Sequence, residues 1–444
     1  MSIHPIETRY GRKGVKSIFE EEVKLQKMLD VEAALARAHA AVGNIPEKDA
    51  RAISRKASVK IVNIDRVSEI EKTIRHDVMA MVKALSEKCG NSGRFVHYGA
   101  TSNDITDTAM ALQLKEYVVF LADDLNRLRN VLKKQAKNNI KRVCVGRTHG
   151  QHAVPTTYGL KFAIWAAEVQ RHIDRLNDCK QRMLVGQMTG AVGTQAAFGK
   201  HAVKIQKLTM EYLGLKPVMS SNQVIQRDRH GEFLLLLALI SETLNKICTE
   251  VRNLQRTEIS EVSEGFKNKQ VGSSTMPHKR NPIYAERVCG LSRVVKANAF
   301  AGLDNIPMWH ERDLTNSSCE RIIIPESCIL TDYILNLTID VLDNLVFNDE
   351  AIQRNLRMTD GRIMAEAVMI SLTERGVGRQ DAHELTRECA MESFEKNKPF
   401  RDVLLKNKDV KRLITPDELD AILEPSNYIG TSIHQVERML KELN

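Results

Sequence analysis

Residues 223–263 contain scarcely a helix breaker beyond Gly231, and the same regularity recurs along most of the chain. Residues 20–43 place Leu25, Met28, Leu29, Ala33 and Leu35 on one broad face, then meet Gly43 and Pro46. Residues 105–136 read as a second long helix behind the cap-type residues Thr101, Ser102, Asn103 and Asp104. A third follows Pro155 and runs to Met183; others begin at Pro282 and after Pro325. A helix in water gains little from propensity alone, so helices this long need partners lying alongside. At 1.5 Å per residue, lengths of about 30–40 residues correspond to roughly 45–60 Å, the dimensions of an elongated bundle. The expected fold is all-α, with three helical domains: an N-terminal domain at 1–104, a central long-helix bundle at 105–358, and a C-terminal domain at 359–444. The boundaries rest on the caps before 105 and on the interrupted stretch MTDGRIMAEAV that begins at Met358.

Aromatic residues make up only 5% of the chain and alternating β-branched runs are rare, which agrees with helices. The net charge is +9, from 65 Lys and Arg against 56 Asp and Glu. The basic residues are interleaved with acidic ones, as in DDLNRLRNVLKKQAKNN, and no basic tract carries aromatics. That pattern argues against a nucleic-acid surface and for solvated helix faces plus a site for a small anion. Eight cysteines include no C-x-x-C pair and read as reduced thiols of a cytosolic protein. The start, MSIHPIETRYGRKG, lacks an apolar signal core, and the longest apolar run, FLLLLALI, is far short of a membrane span. The expectation is therefore a cytoplasmic protein with neither membrane nor nucleic acid as partner.

The unusual polar residues gather in connections and at helix ends. GSSTMPHKRNP, 272–282, strings together Ser273, Ser274, Lys279, Arg280 and Asn281. Asn281 as N-cap and Pro282 as first helical residue would deliver Lys279 to the positive end of a helix, which suits a carboxylate or phosphate. The alternative is a plain solvent-exposed loop. GRTHGQHAVPTTYG, 146–159, offers His149 and His152. A metal pair would need a shared helix face and a third ligand, but Gly150 and Pro155 break the helix. A general acid or base is the better use of one of them, with a structural histidine as the alternative. Arg75, His76 and Asp77 stand together before an apolar face, where Asp77 is either a ligand group or a structural partner of Arg75. Thr101 and Ser102 precede a helix as ligand groups or ordinary caps. HERDLTNSSCER supplies Arg312, Ser317, Ser318 and Arg321, hydroxyl and guanidinium groups suited to phosphate, unless they merely coat a surface helix. Together these signals point to a polyanionic small molecule.

GSSTMPHKRNP resembles the signature loop of the fumarase/aspartase superfamily, and VHYGATSND and GRTHGQHAVPTTYG resemble its two other shared regions. The likeness extends from ETRY near the start to EPSNYIGTSIHQVER near the end. Within the superfamily, Arg9-Tyr10, the Arg75-His76-Asp77 triplet and WHERDLTNSSCERI are most similar to the adenylosuccinate lyase family. One departure is GQMTGAVGT, with Gln187 and Met188 where related chains often carry a lysine.

The resemblance implies a β-elimination of fumarate from succinyl-purine nucleotides, with no cofactor and no metal. Carried over residue by residue, it makes Ser273 the general base and His149 the general acid. Glu286 becomes the carboxylate partner of that acid, and His76 assists in binding or acid catalysis. Lys279 and Asn281 would stabilise the transient aci-carboxylate. Residue chemistry alone would choose histidine over serine as the base, because a serine alkoxide needs strong stabilisation. Substrate contacts fall on Arg9, Tyr10, Arg75, Asp77, Thr101, Ser102, Gln223, Ser274, Arg280, Arg312, Ser317, Ser318 and Arg321. Gly265 and Gly272 are the expected hinges of a closing loop. The resemblance also implies a homotetramer whose active sites each draw on three chains. Competing readings are a cycloisomerase, whose substrate has no phosphate and from which Ser317, Ser318 and Arg321 discriminate, or another fumarate-releasing lyase, and a non-catalytic protein on the lyase scaffold.

Overall fold

Segments rich in Leu, Ala, Glu and Lys and poor in glycine become long helices. The computed structural model describes residues 4–266 and 275–443. Its main elements, in chain order, are α1 (Glu21–Ala41), α2 (Ile64–Ile74), α3 (Asp77–Cys89), α4 (Ser102–Asn138), the strands β1 (Val143–Thr148) and β2 (Gln151–Thr157), α5 (Tyr158–Met183), α6 (Asp228–Leu254), α7 (Ile283–Asp304), α8 (Thr315–Asp343) and α9 (Asp349–Arg357). Strand structure among the described residues is limited to the β1–β2 hairpin and two pairs of two-residue strands. The fold class is all-α, as the periodicity predicts.

Three helix boundaries differ from expectation. The segment 223–263 is not one helix: α6 begins only at Asp228 and ends at Leu254, so Gln223 lies outside it. The intervening backbone is satisfied by distant groups instead, with Ile225 N donating to Asp107 Oδ2 at 2.9 Å. Beyond Leu254, Ser260 turns left-handed at φ 55° and Val262–Ser263 pairs with Val346–Phe347. The longest helix is α4, of 37 residues. Next, α8 starts at Thr315 and holds Pro325 in its interior rather than beginning after it. Proline cannot donate to the carbonyl of Arg321, one turn earlier, and the helix survives because the residues around Pro325 are packed. Ile323, Ile324 and Cys328 are all at most 5% exposed. Last, α7 begins at Ile283 rather than Pro282, and Glu264 caps amides of its first turn, accepting from Tyr284 N at 3.3 Å and from Ala285 N at 2.6 Å.

The chain divides into two compact units, and α4 to α8 each contribute residues to both. The first comprises residues 1–125, 172–244 and 290–336. Its core joins α1, through Leu29, Leu35 and neighbours, to Met81 and Leu85 of α3, Ile105 of α4, and Met188 and Met210. The second comprises residues 126–171, 245–289 and 337–444, with a C-terminal core around Val368, Leu372, Phe400, Leu404 and Leu419. Each such side chain withdrawn from water contributes about 1.5–3 kcal/mol. Among the described residues, α8 alone could cross a membrane by length and composition, but 67% of its apolar window is buried inside the fold. None of the eight cysteines forms a disulfide and seven are buried. Burial pushes the Cys144 thiol up to about 12, the state of an inert side chain.

Candidate active site

In the first unit a cavity of about 1060 Å³ gathers Arg75, His76, Asp77, Ser102, Gln223, Arg312, Ser317 and Arg321. The sequence scatters these residues over some 250 positions, and local geometry explains how each reaches the wall. Arg75 ends α2 in a left-handed conformation at φ 54°. His76 then caps α3, its Nδ1 accepting from Met79 N at 3.3 Å, so a proton on the neutral ring sits on Nε2. Asp77 opens α3 and accepts from Val78 N at 2.8 Å and from Arg321 Nη2 at 2.5 Å. Its ion-pair partner is therefore Arg321 rather than Arg75. Burial pushes the Asp77 carboxyl up, but Arg321, the Val78 amide and His76 outweigh it and hold the group below the usual carboxylate range.

Ser102 is the first residue of α4, and Thr101 N donates to Asp104 Oδ2 at 2.9 Å in the manner of a cap. Asp104 also receives Thr189 N at 2.8 Å. Just ahead, His97 has φ 64° and is clamped by the buried Glu32, which accepts from its backbone N at 2.9 Å and faces its Nδ1 at 2.7 Å. Both ends of the Gln223 amide have partners within the chain. Its Oε1 accepts from Arg312 Nη1 at 2.7 Å and its Nε2 donates to Ala191 O at 2.7 Å. Gln187, the departure noted in the sequence, is completely buried and donates Nε2 to Gln223 O at 2.8 Å. It thus supports the backbone that carries Gln223.

Several members of the wall escaped the sequence reading, chiefly Asp107, Arg227, His230 and Glu320. Arg227 is 3% exposed and lies between two carboxylates. It meets Asp107 through Nη1 (2.7 Å) and Nη2 (2.9 Å), and Glu320 through Nε (2.8 Å) and Nη2 (3.1 Å). The charged string RDRH before an apolar helix was the available signal, but its partners lie 120 and 93 positions away. Burial would raise Glu320, yet His230 and Arg227 bring it down to about 2. The wall also carries apolar side chains, among them Leu25, Met28, Ile64, Val67, Met81 and Met110. Acidic side chains outnumber Lys and Arg around the cavity.

Arg9, Tyr10, Thr101 and Ser318 belong to the same unit but do not line this cavity. The Arg9 guanidinium lies 6.0 Å from the Tyr10 ring, and Tyr10 packs against Tyr333 at 5.5 Å.

The second unit holds the other expected residues. Strands β1 and β2 pair as a hairpin whose two connecting residues are His149 (φ 54°) and Gly150 (φ 73°). Positive φ at both positions is the pattern of a type I′ turn, and for histidine it carries strain of the kind found at functional sites. His149 is therefore exposed at a tight tip, whereas His152 pairs across the ladder with Arg147. The two histidines do not share a helix face. Burial, then Arg147, holds the His152 ring below the ordinary imidazole range, against the pull of Glu261. Behind the hairpin, the fully buried Glu261 collects Arg147 Nη2, Tyr158 Oη at 2.5 Å and Asn355 Nδ2 at 2.8 Å.

Lys279, Arg280 and Glu286 are exposed and Asn281 is half-buried. Arg280 lies over the Phe266 ring at 5.2 Å and its carbonyl accepts from Gln255 Nε2 at 3.0 Å. Glu264 accepts from two of the first amides of α7, those of Tyr284 and Ala285. Ser273, Ser274 and Gly272 lie outside the described residues. A Cβ on Gly265 would come within 2.7 Å of Asn344 O, so close packing accounts for that glycine.

Residues 10–296 match the lyase family model and residues 361–439 match that of the adenylosuccinate lyase C-terminus. The adenylosuccinate lyase of Pyrococcus abyssi is 56% identical over 99% of this chain and 98% of its own length. That of Methanocaldococcus jannaschii is 54% identical over 100% and 96%. Among solved structures, a fumarate lyase from Mesorhizobium sp. BNC1 superposes with a TM-score of 0.91 at 28% identity, covering 99% of this chain and 100% of that one. The 3-carboxy-cis,cis-muconate lactonizing enzyme of Pseudomonas putida gives 0.90 at 32% identity, covering 99% and 98%. The shared scaffold thus spans more than one chemistry, while the full-length sequence relatives are much nearer. This chain is a lyase and belongs to the adenylosuccinate lyase family of the fumarase/aspartase superfamily.

Proposed function

We propose that the protein splits adenylosuccinate into AMP and fumarate, and the succinylated aminoimidazole carboxamide ribotide into its free carboxamide and fumarate, in purine biosynthesis. The observation that carries this reading is the meeting of Arg75, His76, Asp77, Ser102, Gln223, Arg312, Ser317 and Arg321 in one cavity. Guanidinium and hydroxyl groups at that density suit a phosphorylated ligand. Ser317 and Arg321 on this wall favour it over the cycloisomerase alternative, whose substrate carries no phosphate.

In the proposed elimination Ser273 takes the proton from the carbon beside a carboxylate. The electron pair moves into that carboxylate to give the aci form, the carbon–nitrogen bond breaks, and His149 protonates the departing nitrogen. Glu286 orients the imidazole, and Lys279 with Asn281 steadies the transient negative charge. Arg9, Tyr10, Thr101, Ser274, Arg280 and Ser318 complete the contacts to substrate. No cofactor or metal takes part.

The working form is a cytoplasmic homotetramer with sites shared among three chains. Two features support this. Acidic groups outnumber Lys and Arg around the cavity, so a polyanion would need further cations from elsewhere. The long helices of the first unit also expose Val119 (67%), Leu239 (50%), Phe300 (63%) and Ile322 (65%), apolar area suited to burial against other copies. Functionally we divide the chain at 104 and 358; the C-terminal family match starting at residue 361 supports the second division.

The purified protein, given either succinyl substrate, should release fumarate in equal amount to the nucleotide product, with adenylosuccinate losing its succinyladenine absorbance. Absence of fumarate from both substrates would overturn the assignment. Mixed tetramers of Ser273→Ala and His149→Gln chains should regain part of the activity that each variant lacks.

A further inference from the structure

We infer that Arg227 is a positioning residue of the ligand cavity, acting through Asp107 and Glu320; the inference rests on the nucleotide reading above. A guanidinium has five N–H donors in a rigid fork. Here every one is used. Nε meets Glu320, Nη1 meets Asp107 and the carbonyl of Ile225 at 2.6 Å, and Nη2 meets both carboxylates. The carboxylates spend their remaining capacity on neighbours: Asp107 accepts from Ile225 N at 2.9 Å and Asn103 Nδ2 at 3.1 Å, and Glu320 from Asn316 Nδ2 at 3.0 Å.

One side chain therefore ties together three segments that are remote in sequence. Each of them carries groups on the cavity wall. Asp107 is one turn and a residue beyond Ser102 on α4. Arg227 ends the stretch that presents Gln223. Glu320 precedes Arg321 and follows Ser317 by three residues on α8, so holding Glu320 sets the rotation of that helix start about its axis. Arg321 then reaches Asp77, and Arg312 reaches Gln223. Buried ion clusters are a poor source of net stability, because desolvation cancels most of the attraction. A cluster with all its donors matched, placed under a binding wall, is better explained by the fixed geometry it imposes.

Lysine retains the charge but cannot reproduce the fork, which makes Arg227→Lys the informative change. In folded Arg227→Lys, KM for adenylosuccinate should rise about tenfold or more, as expected for losing several charge-assisted contacts, while kcat stays within about threefold. Glu320→Gln, which keeps the shape and removes one charge, should move KM the same way by a smaller factor, and decides the matter if the lysine variant does not fold. A KM within twofold of wild type in the folded variants, or a fall in kcat at constant KM, overturns the inference. Hydrogen exchange on the ligand-free protein supplies a readout independent of substrate. Amides of 222–227 and 315–321 should exchange faster in the variant while those of α1 do not change; equal exchange throughout would also overturn it. Lack of turnover by the wild type, by contrast, counts against the functional reading alone.

Discussion

In the first unit, the guanidinium groups of Arg227, Arg312 and Arg321 are all engaged by acceptors of the same chain: two buried carboxylates, the Gln223 amide and Asp77. In the second unit, His149 stands exposed on a two-residue turn, and Lys279 and Glu286 are exposed as well. The anchor behind each region also differs in sign. A buried cation organises the cavity, while a buried carboxylate, Glu261, gathers Arg147, Tyr158 and Asn355 behind the hairpin. Groups that recognise a ligand benefit from being held in place beforehand, since ordering them later costs affinity. Groups that exchange protons must stay accessible to the reacting atoms. The contrast is what a division of labour between binding and chemistry would require.

The strongest test of that division is His149→Gln. It should lower kcat by about 10²–10⁴, the usual worth of a positioned acid, with KM within about threefold. A large change in KM with kcat intact would place His149 among the binding groups and dissolve the contrast. Next comes the pH dependence of the buried cluster. Glu320 sits at about 2 when folded against an ordinary 4.5, so its contribution is fully present above about pH 5 and fades as pH falls toward 2. A shift of that size is worth about 3 kcal/mol. Urea midpoints should therefore fall more steeply with acid in the wild type than in Glu320→Gln; parallel curves would show that the cavity is not charge-organised. The smallest effect is expected for Arg321→Ala, where losing a charged hydrogen-bond donor should raise KM by roughly 10- to 100-fold and leave kcat within a few fold. A selective loss of kcat would move Arg321 to the chemical side of the comparison.

The fold class was legible because long 3.6-residue patterns and caps such as Thr101 act locally. Element ends were less so. Proline is a good opening signal for a helix, yet Pro325 lies inside α8, where packing overrides the missing donor. Likewise nothing near Gln223 announces that its backbone is held by Asp107 and Gln187 rather than by helical bonds. At the site, residue types announced most of the cavity wall, since Arg, His and Ser clusters are conspicuous in an otherwise periodic chain. Arg227 and Glu320 were missed because a charged residue reads as solvated until its partners are known, and those partners are far away in sequence. Glu264 was missed for the same reason: a cap supplied from outside the helix leaves no local motif.

The turn at His149 and Gly150 has an evolutionary corollary. A connection of two residues has no slack, and adding or deleting one would send every following side chain of β2 to the opposite face. Descendants of this chain can therefore vary the surroundings of the imidazole by exchanging residues, but hardly by altering length. Indels should be as rare at this tip as they are common in ordinary surface loops.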